Sequence, residues 1–298
     1  MPSILFTALV GVVAATNVQA IDIGQEGLTG AWYDPSMSGQ GFEFVLTPAT
    51  PAVAGALFGA WYTFGPTPGA EDTQRWYSLQ ASFEDGATSA SFTIYQNTGG
   101  NFLSPPPTHA VAVGTGTLAF SDCTNAELSY AFDGGASGTL PLRSLLSNIE
   151  CSEAAAVPSA ASATSDFGYS GAWYDPALGG QGFVINVNPA DAQVFAGWYT
   201  YAAGRGGASL SGQRWFSAQG PYTVGTRSMD LTLYATTGGT FASGTNPVTT
   251  TPVGTARLRF TSCDDATFEY HFTSGEVGVR NGTIAMKRLG ATPASCRF

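Results

Sequence analysis

The stretch Gly30-Ala31-Trp32-Tyr33-Asp34-Pro35 recurs unchanged as Gly171-Ala172-Trp173-Tyr174-Asp175-Pro176, and the rest of the chain aligns outward from that match. Gly39-Gln40-Gly41-Phe42 returns as Gly180-Gln181-Gly182-Phe183, and Trp61-Tyr62-Thr63 as Trp198-Tyr199-Thr200. Gln74-Arg75-Trp76 returns as Gln213-Arg214-Trp215, and Thr98-Gly99-Gly100 as Thr237-Gly238-Gly239. All 6 tryptophans fall into matched pairs, so the 298-residue chain reads as two copies of one unit. The Ala-, Ser- and Pro-rich segment 152–165 has linker composition. It separates an expected domain at 21–151 from a second at 166–298.

Within each copy the apolar period is two rather than 3.6. Leu128, Tyr130 and Phe132 alternate with polar or small residues, as do Phe268, Tyr270 and Phe272. Gly-Gly, Asn-Gly and Asp-Gly turn signals punctuate these runs. The pattern predicts an all-β fold of two tandem antiparallel domains with about eight strands each. Short connections favour an up-and-down barrel, which leaves no open edge, over a Greek-key sandwich.

Charged residues are 11% of the chain, against roughly 25% in ordinary globular proteins. The net charge of −10 and the lack of a basic stripe exclude nucleic acid as an expected partner. Ile4 to Ala15 is an apolar run, and Val18-Gln19-Ala20 suits a signal-peptidase site. Residues 1–20 are therefore expected to be a signal peptide without a lipid-anchored cysteine. No later stretch has the length of a membrane span. The chain is expected to be exported, to the periplasm or beyond. Cys123 with Cys151, and Cys263 with Cys296, occupy matched places and predict one disulfide per copy.

Requiring a residue in both copies filters candidate chemistry. His109 aligns with Thr249 and His271 with Ala131, which removes a shared histidine site. Glu43 aligns with Val184, leaving Asp34 and Asp175 as the one repeated carboxylate pair and the weak catalytic candidates. One carboxylate per domain cannot supply both acid and base, and Asp before Pro also suits a turn. No metal or cofactor motif occurs, so none is expected. The repeated set that remains is rich in aromatics and amides: Trp32, Gln40, Trp61, Gln74, Arg75, Trp76 and Gln80. Its second-copy counterparts are Trp173, Gln181, Trp198, Gln213, Arg214, Trp215 and Gln219. On one strand Gln74, Trp76, Ser78 and Gln80 share a face, opposite Arg75, Tyr77 and Leu79. Both faces are kept in the second copy, although a half-buried strand needs only one fixed. These residues either fill the core or line a site in which rings stack on a ligand and amides orient it.

Three functions follow from that choice. The first is a secreted or cell-surface protein that binds a glycan or other extracellular ligand. The second is a hydrolase or lyase of an extracellular polymer using Asp34 and Asp175. The third is a structural or adhesive repeat without a ligand site.

The GAWYDP and GQGF blocks, the QRW strand and the paired cysteines resemble a group of exported proteobacterial proteins with one to several such repeats. The resemblance implies secretion and a repeated β module, and it transfers no catalytic or binding residue. The Gly-x-Trp of Gly30/Trp32 and Gly171/Trp173, with Arg143 or Lys287/Arg288 on the last strand, also resembles the lipocalin and wider calycin pattern. That pattern implies a basic side chain covering the tryptophan.

Overall fold

The structure is a computed structural model that describes residues 20–66, 74–104, 108–146, 151, 165–204, 212–275 and 277–298. The expected signal peptide and linker lie outside these residues, apart from Ala20 and Ser165. Two antiparallel sheets each close on themselves, as the up-and-down reading predicts. The first barrel runs through β1 (Gly30–Tyr33), β2 (Gly41–Thr47), β3 (Gly55–Phe64), β4 (Gln74–Phe83), β5 (Ser89–Thr98), β6 (His109–Phe120), β7 (Asn125–Phe132) and β8 (Ser137–Ser144). The second runs through β9 (Gly171–Tyr174), β10 (Gly182–Asn188), β11 (Gln193–Tyr201), β12 (Gln213–Pro221), β13 (Ser228–Thr237), β14 (Thr249–Phe260), β15 (Asp265–Phe272) and β16 (Arg280–Leu289). Neighbours in sequence pair throughout, and β1 with β8 and β9 with β16 complete the closures. A register shift at Ile94/Tyr95 in β5 recurs at Leu233/Tyr234 in β13, so even the bulge is duplicated.

Each interior is filled by one side of the alternation. Trp32, Phe42, Phe44, Trp61, Leu79, Phe92 and Leu128 pack in the first barrel; Trp173, Phe183, Trp198, Leu233 and Phe268 pack in the second. A 3-10 turn precedes each first strand, at Glu26–Leu28 and Ser165–Tyr169. Its carbonyl accepts the indole N–H of the strand's tryptophan: Trp32 Nε1 to Leu28 O and Trp173 Nε1 to Tyr169 O, both 3.1 Å. Arg288 lies 4.5 Å from the Trp173 ring and donates to the carbonyls of Cys263, Ser170 and Gly168. Lys287 instead pairs with Asp265 at the surface. The first copy differs, because Ser144 stands opposite Trp32 while Arg143 is opposite Tyr33 and exposed. The one-residue offset puts the Arg143 side chain on the outer face, so it does not take the place of Arg288.

The disulfides Cys123–Cys151 and Cys263–Cys296 close segments of 28 and 33 residues. Each contributes about 3–4 kcal/mol in the chain-entropy treatment. Among the described residues, no helix is long and apolar enough to cross a membrane.

Candidate functional site

Because the barrel interiors take one face of each strand, Gln74, Trp76 and Ser78 on β4 point outward. Their outward neighbours on β3 are Ala60, Tyr62 and Phe64, and the equivalent face of the second barrel packs directly against them. Tyr62, Phe64, Trp76, Val184, Tyr199, Tyr201 and Trp215 form one buried cluster between the barrels. Trp215 meets Tyr62 at 5.8 Å and Phe64 at 5.7 Å between ring centres; Trp76 meets Tyr199 at 5.2 Å and Tyr201 at 5.6 Å.

Hydrogen bonds across this contact are reciprocal. Gln74 Nε2 donates to Trp215 O (2.8 Å) and Thr236 O (3.1 Å), while Gln213 Nε2 donates to Trp76 O (2.9 Å) and Asn97 O (3.2 Å). Trp76 Nε1 donates to Thr200 O and Trp215 Nε1 to Thr63 O. Residue i touching j while the copy of j touches the copy of i is the signature of an isologous twofold contact, here within one chain.

The same symmetry governs the loops after β5 and β13. Phe102 enters the end of the second barrel against Trp198, Tyr270 and Phe272, and Phe241 enters the first against Trp61, Tyr130 and Phe132. Their amides bond the opposite barrel, Phe102 N to Ala202 O and Phe241 N to Gly65 O. Gln181 Nε2 holds Asn101 O and Gln40 Nε2 holds Ser243 O, with Thr200 and Thr63 hydroxyls fixing the two amides through their oxygens. Gly100 and Gly239 lie so close to Tyr201 and Phe64 that a Cβ would fall on those rings. The repeated Thr-Gly-Gly motif is thereby explained as a close approach of backbone to the opposite barrel.

The sequence-derived candidates thus divide into groups. Trp32, Trp61, Trp173 and Trp198 are interior. Gln40, Gln74, Trp76, Gln181, Gln213 and Trp215 hold the barrels together, so the expected ligand face is largely an interdomain contact. Alternation identifies the face of a strand but not what covers it. Arg75 and Arg214 lie on the opposite side of their strands and each donates Nη1 to the preceding carbonyl, Gln74 O or Gln213 O. Gln80 and Gln219 are exposed. Asp34 Oδ1 accepts from the Ser36 amide and hydroxyl, and Asp175 Oδ1 accepts from the Ala177 amide, so both carboxylates order turns.

One of the spaces between the barrels adjoins this contact. A cavity of about 370 Å³ is lined by Tyr33, Gln40, Glu43 and Tyr62 from the first barrel and by Phe195, Trp215, Ser217 and Gln219 from the second. Glu43 is 1% exposed, at the outward position between Phe42 and Phe44. Its Oε2 accepts the Gly197 amide at 3.0 Å, the Tyr62 hydroxyl stands beside the carboxyl, and Oε1 has no hydrogen-bond partner. Burial raises the Glu43 pKa well above the usual carboxylate range, with the Tyr62 hydroxyl and the Gly197 amide offsetting part of the effect. Burial also raises the Tyr62 and Tyr199 phenols, and the Glu43 charge adds to the rise in each. No Lys, Arg or His lines this cavity among the described residues.

No family model, curated protein or solved structure matches the chain. Site chemistry therefore rests on geometry alone. Sequence reasoning missed Glu43 because the two-copy filter discarded it, and missed Phe102 and Phe241 although a phenylalanine repeats at the same place in both Gly-rich loops.

Proposed function

We propose that the chain is an exported binding protein that takes one small extracellular ligand, of glycan type, in the interdomain cavity. The observation carrying this reading is the cavity itself, walled by both barrels and bordered by the buried Glu43. Its volume lies within the roughly 300–1,000 Å³ range of small-molecule sites. Aromatic walls at Tyr33, Phe195 and Trp215 suit the flat faces of a sugar ring, and Ser217, Gln219 and Gln40 offer hydroxyl and amide groups to orient it. The two disulfides suit an oxidising compartment.

Gln219→Trp tests the site, because residue 219 is exposed at the cavity rim and a larger ring there fills the space without touching the interdomain hydrogen bonds. On a glycan array the wild-type protein is expected to bind and the variant to lose binding at least tenfold. Binding that survives the substitution would place the ligand elsewhere. The engagement of Gln74, Trp76, Gln213 and Trp215 between the barrels favours one other reading, a structural module without ligand, which predicts no array signal. Polymer hydrolysis through Asp34 and Asp175 has less support, since each carboxylate orders a turn on its own barrel.

A further inference from the structure

We infer that the interdomain cavity takes a ligand bearing a protonated amine, seated on Glu43 and walled by aromatic rings. This inference rests on the proposed binding site and narrows its ligand class. Three features of the cavity lead to it.

The first is the unused capacity of the carboxyl group. Glu43 Oε1 is buried without a hydrogen-bond partner, and among the described residues no Lys, Arg or His lines the space. A buried carboxyl without a counter-charge is unfavourable, and a cation at hydrogen-bonding distance reverses that. The second barrel does without such a group. Val184 occupies the equivalent place in the second barrel, fully buried against the same interdomain cluster. The carboxyl is thus an asymmetric addition to an otherwise symmetric contact.

The second feature is the wall. Tyr33, Tyr62, Phe195 and Trp215 surround the cavity, and aromatic faces attract ammonium groups where water is excluded. The third is long-range: a net charge of −10 raises the local concentration of cations near the protein.

Proton balance follows directly. In the empty protein burial favours the neutral carboxyl. When an ammonium binds, Glu43 ionises and its proton leaves to solvent, so the complex holds R–NH3⁺ against a carboxylate. The titratable groups facing Glu43 are the phenols of Tyr33 on β1, Tyr62 on β3 and Tyr199 on β11; the lining residues from β12, β13 and β14 do not titrate. Below the pKa of Glu43 in the empty protein, amine affinity should rise with pH, by at most tenfold per unit.

Isothermal titration of the full chain with glucosamine and with cadaverine, beside neutral glucose and N-acetylglucosamine, tests the inference. Each is run near pH 6 in two buffers of different ionisation enthalpy. At least one amine should bind tenfold or more tighter than both neutral sugars, with net release of protons. Glu43→Gln should abolish that release and weaken the amine tenfold or more, while Glu43→Val, the residue of the other copy, serves as a second variant that keeps the fold. Gln219→Trp should block all binding. If neutral sugars bind as well as the amines and Glu43→Gln changes nothing, the amine assignment fails and the binding site stands. If no probe binds in a way that Gln219→Trp removes, both fail.

Discussion

Gln74 and Gln213 each donate two hydrogen bonds to backbone carbonyls of the opposite barrel. Removing either amide leaves buried carbonyls unsatisfied, so Gln74→Ala and Gln213→Ala should each cost about 1–3 kcal/mol. Exposed Gln80→Ala should stay within about 0.5 kcal/mol, as measured by denaturant unfolding. Equal small effects at all three positions would contradict the contact. Glu43 gives a pH-dependent counterpart. Its native pKa is raised relative to the unfolded chain, so its contribution is most favourable below the unfolded carboxyl pKa of about 4.3 and is lost as pH rises through the native value. The stability of the wild-type protein relative to Glu43→Val should therefore fall as pH rises above the unfolded carboxyl pKa, at no more than about 1.4 kcal/mol per pH unit. Parallel stability curves would show that Glu43 is ionised or solvated in the native state. At this scale the repeat in the sequence identified the interdomain amides and indoles but not their partners. It concealed Glu43, because comparing two copies retains what they share and discards what distinguishes them.

Strands were the most legible elements. Period-two runs such as Leu128-Ser129-Tyr130 mark β7. Alternation assigned Trp76 and Tyr77 to opposite faces correctly, yet both faces are buried, one by the barrel interior and one by the second barrel. That double burial accounts for the strand being fixed on both sides in both copies. Loops were the least legible, since their fold depends on a surface far away in sequence. The Phe102 loop is ordered by Gln181, Ala202 and the aromatic end of the second barrel. Phe102→Ala should cost about 3–5 kcal/mol, because it empties a buried plug. The half-buried Phe241→Ala should cost less, and thermal or denaturant unfolding of the two variants checks the order.

At the scale of the whole molecule, duplication has produced an internal dimer. Paired aromatic clusters and exchanged loops seal the barrels together, and the carboxylate of Glu26 also accepts the Ala294 amide and the Ser295 hydroxyl near the second disulfide. The cavity occurs where this near-twofold arrangement is broken by Glu43 facing Gly197. The binding proposed for that cavity requires both barrels in their mutual position, so coupling of the barrels is the central claim. Denaturant unfolding followed by hydrogen exchange resolved to each barrel, with disulfides intact, tests it most directly. The wild-type barrels should lose protection at one common midpoint, and Trp76→Ala combined with Trp215→Ala should lower and separate the two midpoints. Separate midpoints in the wild-type protein, or a double variant whose barrels unfold together and unshifted, would contradict it.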